Sequence, residues 1–224
     1  RAIRDGYKRQ VLIHGFDIAR TELTRGQVAR MLGQPIPAAN QRQMPADDID
    51  WKSARKLCQA LGADLPTESQ WEYAARGGDQ NPYPFASKLE TLCRYANGAD
   101  SDYNSAFDSS LGNSACSDGY ARSAPVGRFP ANPAGLYDMH GNLWEWTLDC
   151  WDAERYGKRG RDPVADPSGQ GGDCGRRVLR GGSFVNQPGF LRSAVRDWIQ
   201  PGLRHVRVGF RCVRGSVRQR TLMR

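Results

Sequence analysis

Hydrophobic and polar positions change period several times along the chain, and each change marks an element. Up to Ile18 the chain is basic and then extended, with Val11, Ile13 and the Phe16/Ile18 pair predicting short strands broken at Gly15. Thr24 and Gln27 form a capping box, which opens a first helix that buries Val28, Met31 and Leu32 before Gly33 stops it. Gln34 to Pro45 carries prolines and reads as a loop. Asp50 caps a second predicted helix, Trp51 to Leu61, on which Ala54, Leu57, Cys58 and Leu61 share one face. Cys58 then points to the core, where a thiol is structural rather than reactive. Thr67 and Gln70 repeat the capping box ahead of a third helix, which turns Trp71, Ala74 and Ala75 inward and ends at Gly77 and Gly78.

Beyond Gly78 the periodicity is lost for about fifty residues, bracketed by Cys93 and Cys116, and a loop of that length needs tying down. A disulfide between those cysteines would do it, as would a cation held by Asn97 and Asp118; a solvated loop without an ion is the plainer reading. Ala124 to Gly127 leads into the densest stretch of the chain, Gly135 to Trp146 (Gly-Leu-Tyr-Asp-Met-His-Gly-Asn-Leu-Trp-Glu-Trp). Gly141 and Asn142 accept positive φ at little cost, so this stretch reads as a turn. Its carbonyls can converge with Asp138 and Glu145 as oxygen ligands of a hard cation such as calcium. The plainer alternative is a tight turn running into a half-buried Trp-Glu-Trp strand. Asp149 to Asp173 is a second polar loop with Cys150 and Cys174 at its ends, and pairing them would staple it at its base. Arg177 to Phe184 reads as a strand, and in the closing run Val206, Val208, Phe210 and Cys212 alternate onto one face. Residues 1–214 are expected to form a single domain and 215–224 a mobile basic C-terminal tail.

A chain of 224 residues can bury a sizeable core. No apolar run approaches the roughly 18 residues a membrane helix needs, so no transmembrane segment is expected. Because the chain opens on Arg1, a processed or trimmed product is expected, with any signal peptide lying before it. The formal charge of +8 favours acidic partners by long-range steering. The basic residues are scattered, however, in groups such as Lys158, Arg159 and Arg161, or Arg176, Arg177 and Arg180, and no nucleic-acid motif frames them. A nucleic-acid partner is not expected. The six cysteines are far apart, without a C-x-x-C pair, which argues for disulfides in an oxidising, periplasmic or secreted setting rather than for zinc.

Taken together and in order, five segments resemble the formylglycine-generating-enzyme family, the sulfatase-modifying-factor domain. They are Thr21-Glu22-Leu23-Thr24, Leu65 to Tyr73, Gly141 to Trp146, Arg180-Gly181-Gly182-Ser183 and Gly209-Phe210-Arg211-Cys212. The resemblance implies an α+β domain in that family's variant of the C-type-lectin-like fold, low in regular structure, with short helices around small twisted antiparallel sheets. It also implies two structural calcium sites. One would use the side chains of Asn97 and Asp118 with the carbonyls of Gly98 and Tyr120; the other would use Asp138, the carbonyls of Gly141 and Leu143, and Glu145. Asp138 stands where relatives carry Asn and keeps the oxygen ligand. A Cys58–Cys212 disulfide is implied in the same way.

The departures redirect the functional expectation. Family enzymes bind copper(I) through two cysteines shortly after the Gly-Gly-Ser motif, because soft thiolates suit that ion. Here Ser183 to Arg211 contains no cysteine, the nearest equivalents being Asn186 and Leu191, so no copper is expected. Three separated histidines, His14, His140 and His205, do not suggest an iron triad either. One family branch acts in the periplasm in the final oxidative maturation of the pyoverdine fluorophore. An oxidoreductase-like maturation enzyme for a small peptide-derived or acidic substrate, such as a siderophore, is the first expectation. Its pocket would be lined by Trp144, Ser183, Asn186, Arg192, Arg196, Trp198 and Arg207, of which Trp144 and Ser183 match family pocket positions and Arg207 replaces a family asparagine. No catalytic base or nucleophile is evident. The alternative is a ligand-binding display protein of the diversity-generating-retroelement variable type, presenting segment 184–207 between fixed anchors.

Overall fold

The computed structural model of the chain describes residues 11–85, 89–108, 116–154, 164–165 and 171–215. Three capped helices open the fold: α1 (Arg25–Met31), α2 (Trp51–Ala60) and α3 (Glu68–Arg76). Both predicted capping boxes form, Thr24 with Gln27 and Thr67 with Gln70, and the Asp50 side chain accepts from the Ser53 amide. The helices end one residue or more before the sequence pattern does. Leu32 and Leu61 are therefore cap residues, 53% and 54% exposed, rather than core as expected. The predicted polar region after Gly78 holds a further short helix, α4 (Ser101–Phe107), because Asp100 accepts from the amides of Asp102 and Tyr103 at its start.

The central sheet has the order β6-β5-β3-β7, built from β3 (Trp144–Trp151), β5 (Asp173–Arg180), β6 (Arg196–Ile199) and β7 (Val208–Gly209). The pairs β3·β5 and β5·β6 are antiparallel, whereas β7 joins β3 in parallel. At the edges, β1 (Val11–Leu12) pairs with β4 (Val164–Ala165), and β2 (Phe16–Ile18) pairs with β8 (Val213–Gly215). The expected tail from 216 onward lies outside the described residues, and the domain's last strand includes Gly215. The closing run is not one strand. The Val208 amide bonds the His205 carbonyl in a turn, which leaves Val206 half exposed and buries Arg211 completely.

The main core lies between α1, α2 and the sheet, with Trp51, Leu57, Leu65, Trp146, Leu179 and Phe210 among its residues. Trp51 and Trp146 can sit there, and Trp71 in the neighbouring cluster with Leu136 and Met139, because each of these three finds an acceptor. Trp51 Nε1 donates to the Thr147 carbonyl at 2.8 Å, Trp146 Nε1 to the Ile49 carbonyl at 2.9 Å, and Trp71 Nε1 to Glu145 Oε2 at 2.9 Å. Three disulfides, Cys58–Cys212, Cys93–Cys116 and Cys150–Cys174, use all six cysteines. The first ties α2 to the segment before β8, and the third ties β3 to β5.

Candidate functional site

The turn ahead of β3 is held in left-handed backbone at Asp138 (φ 56°), Gly141 (φ 79°) and Asn142 (φ 59°). At Gly141 no other residue fits, since a Cβ there would lie 1.9 Å from the Asn97 carbonyl oxygen. That close approach is used: the Asn142 amide donates to the same carbonyl at 2.9 Å. Buried Asn142 then links three segments, its Oδ1 accepting from the Ala124 amide at 2.8 Å and its Nδ2 donating to Glu22 Oε1 at 2.9 Å.

This linkage gathers three buried carboxylates, Glu22, Asp138 and Glu145, around one buried guanidinium, Arg211. Arg211 is fully engaged. It donates to both oxygens of Glu145 at 2.7 Å, to the Tyr137 carbonyl, and to the Ala19 and Arg20 carbonyls. Asp138 Oδ2 accepts from the Gly127 amide at 2.6 Å, but Asp138 Oδ1 and Glu22 Oε2 are buried without a hydrogen-bond partner. Burial, then the neighbouring Asp138 and Glu145, holds the Glu22 carboxyl well above the usual range, and burial also raises Asp138. With all three ionised the cluster carries two uncompensated negative charges in a dry site, the complement of a hard divalent ion with oxygen ligands. The residues present therefore fit calcium. Asp138, Gly141, Leu143 and Glu145 all lie buried on this turn and the start of β3. Glu22 and Arg211 are the members that sequence reasoning missed.

The second expected set is also assembled. Asp118 Oδ2 accepts from the Gly98 amide at 3.1 Å and Oδ1 from the Tyr120 amide at 2.8 Å, while buried Asn97 keeps Oδ1 unpartnered. Two unforeseen carboxylates join them, and Asp100, Asp102 and Asp118 each offer an oxygen within 4.8 Å of the others. Burial, then the charge of Asp100, pushes the Asp118 carboxyl up to about 7. Asp100 caps α4, and the fold also brings its Oδ2 to the Asp118 amide at 2.6 Å.

The seven expected pocket residues fall into separate groups. Ser183 is fully buried, and its amide and Oγ both donate to Asn186 Oδ1, at 2.9 and 2.8 Å, so this pair closes a turn. Leu191, the other copper-position equivalent, is fully buried, and an added Cβ on Gly98 or Gly182 would strike its methyls. Trp144 donates its amide to the Arg207 carbonyl, and Arg207 Nη2 lies 3.1 Å from His205 Nε2. The Arg192 Nε donates to the Gly189 carbonyl at 2.9 Å. Arg196 is fixed by buried Glu68 and by the Asp152 carbonyl, and lies over Trp151. Trp198, 37% exposed, lies tilted against Trp151 with ring centroids 6.4 Å apart, under the Arg176 guanidinium. Trp151 and Arg176 also line an open cleft of about 510 Å³ whose rim carries Asp152, Glu154 and Asp173. The histidines lie apart: His14 is exposed, His205 adjoins Arg207, and buried His140 meets the Leu191 carbonyl at 2.7 Å.

The sulfatase-modifying factor enzyme 1-like domain matches residues 4–216. The formylglycine-generating enzyme of Bos taurus is 35% identical over 173 residues, which is 75% of this chain and 43% of that protein. The inactive C-alpha-formylglycine-generating enzyme 2 of the same species is 32% identical over 189 residues, 79% of this chain and 52% of the relative. The chain spans about half the length of the curated relatives it matches. Among solved structures, PvdO from Pseudomonas aeruginosa is 28% identical with a TM-score of 0.74, over 90% of this chain and 80% of that one. Treponema denticola variable protein 1, at 21% identity, a TM-score of 0.72 and coverage of 93% and 87%, shares the fold.

Proposed function

Because this chain belongs to the sulfatase-modifying factor enzyme 1-like family and carries its variant of the C-type-lectin-like fold, we propose that it is an extracytoplasmic maturation factor without copper chemistry. Its substrate would be a small, acidic, peptide-derived molecule such as a siderophore undergoing oxidative maturation of its chromophore. The observation that carries this reading is the state of the thiols. All six cysteines are spent in disulfides, and the positions equivalent to the copper ligands are a clasped Asn186 and a core Leu191. The three disulfides support an oxidising compartment, and among the described residues no helix is long and apolar enough to cross a membrane.

Calcium, when bound at the Asp138 and Asp118 clusters, supplies charge balance and loop rigidity. The chain's own groups bind and orient: Trp144 is set by the turn, and the net charge of +8 steers an anionic substrate. Incubating the purified protein with dihydropyoverdine in oxygenated buffer tests this. Chromophore absorbance rising faster than in a protein-free blank is expected, and no difference with oxygen and metals varied counts against it.

One observation favours a binding role as the second reading. In segment 184–207 Phe190, Leu203 and Val206 are about half exposed and Trp198 is 37% exposed, between the buried anchors Ser183, Leu191 and Phe210. Exposed aromatics on fixed anchors suit partner recognition. A near-copy of the coding segment beside a reverse-transcriptase gene would establish that reading over the first.

A further inference from the structure

We propose that the open cleft at the end of β3 is a binding site for the cationic side chain, guanidinium or ammonium, of a basic residue in a peptide. The cleft lies at the Trp151 end of β3, opposite Trp144, and does not depend on the maturation reading. Its walls are fixed. Trp151 pairs with Asp173 across β3 and β5, the Cys150–Cys174 disulfide lies one residue behind both, and at Gly172 an added Cβ would lie 2.7 Å from the Trp151 carbonyl oxygen. Trp151 is backed by Arg196, which Glu68 Oε2 and the Asp152 carbonyl each hold at 3.0 Å. The opening of about 510 Å³ accommodates one basic side chain with its flanking backbone.

Charge and ring chemistry both select a cation. Asp152, Glu154 and Asp173 stand on the rim against one lining guanidinium, Arg176, so the cleft is locally acidic on a chain whose formal charge is +8. Asp152 Oδ1 accepts from the Glu154 amide at 2.9 Å, and among the described residues no donor reaches its Oδ2. The indoles attract the same kind of group. Arg196 lies over Trp151, 4.7 Å from the ring centroid, and Arg176 over Trp198 at 4.6 Å. The two contacts differ in permanence. Arg196 is anchored on buried Glu68, whereas among the described residues Arg176 bonds only Asp173, and these two side chains are 38% and 49% exposed. An ion pair that open is worth little. Arg176 is therefore a stand-in: it marks what Asp173 and the face of Trp198 accept, and it gives way to a basic side chain from another molecule.

Titrating the whole protein with acetyl-Gly-Arg-Gly-amide and its uncharged isostere acetyl-Gly-citrulline-Gly-amide tests this. The readout is the indole N–H resonances of Trp151 and Trp198, assigned through Trp151→Phe and Trp198→Phe. The arginine peptide should shift both resonances to saturation, and the citrulline peptide should bind at least about tenfold more weakly. Equal shifts by the two peptides, or none by either, overturn the proposal. A preference for acetyl-Gly-Glu-Gly-amide overturns it in favour of an anion on Arg176. Butylguanidinium carries the head group without a backbone, and equal affinity for it overturns the assignment to a peptide. Neutralising the rim with Asp152→Asn and Glu154→Gln together should weaken the arginine peptide at least about fivefold, and Arg176→Gln should tighten it about threefold. A gain in affinity cannot come from misfolding, so the Arg176 variant remains decisive whatever becomes of the others. Unchanged or weaker binding by that variant shows that Arg176 does not occupy the ligand's place and overturns the proposal.

Discussion

Arg211 grips Glu145 through two hydrogen bonds of 2.7 Å, and both side chains are sealed from solvent. The pair fastens the end of the chain to the start of β3, 66 residues earlier, and takes in Trp71 of α3 through the same carboxylate. Arg211→Met should cost about 3–5 kcal/mol, because it leaves a buried carboxylate uncompensated beside two others. Urea denaturation measures it, and a loss under about 1 kcal/mol would mean that the cluster is already neutralised by protons.

Why this pair escaped sequence reasoning is physical. Period-two alternation puts Arg211 opposite Val208 and Phe210, on the face that ordinarily meets water. Here that face meets an acid cluster assembled from residues 22, 138 and 145, a relation with no local signature. Glu22 was hidden in the same way, inside a motif that reads as the approach to a helix cap. What was legible was local: the capping boxes at Thr24 and Thr67, the left-handed Gly141 and Asn142, and the inward face of α3. The polar span after Gly78 concealed α4, whose residues are all partly or fully exposed, so no buried stripe announced it. Leu32 and Leu61 continued a helical face past the point where the backbone left the helix.

Gly141 and Gly135 form a matched test of the turn. Both have positive φ, 79° and 77°, but an added Cβ at Gly135 meets nothing within 4 Å, whereas at Gly141 it collides with the Asn97 carbonyl. Gly135→Ala should lose only the left-handed penalty of about 1–2 kcal/mol. Gly141→Ala should lose more than about 4 kcal/mol or fail to accumulate. Equal melting temperatures for the two variants would contradict the close approach.

The disulfides should rank by the loops they close. Cys58–Cys212 spans 154 residues of sequence and Cys93–Cys116 spans 23. Chain entropy assigns them about 5 and about 3 kcal/mol respectively. Replacing each pair by alanine and comparing urea midpoints should give the larger loss for the Cys58–Cys212 variant, which also empties two core positions beside Leu57 and Leu65. The reverse order would show that the bridges act through native packing rather than on the unfolded chain.

His140 gives a pH dependence of definite sign. It is 2% exposed, its Nδ1 bonds the Leu191 carbonyl, and burial pushes its pKa down from 6.5 to about 4. Between those values the unfolded chain binds a proton that the folded chain refuses, so the stability present above pH 6.5 is lost as pH falls and the loss levels off below about 4. The slope from this residue approaches about 1.4 kcal/mol per pH unit. Asp118, raised to about 7, works in the opposite direction over the same range in calcium-free buffer. The measurement is therefore a difference, with urea stability of wild type and His140→Gln compared in EDTA from pH 7.5 to 4.5. Glutamine can still donate to the Leu191 carbonyl but does not titrate. The wild type should lose ground steadily against the variant below pH 6.5, and parallel curves would show that His140 takes up its proton in the folded state as readily as in the unfolded one.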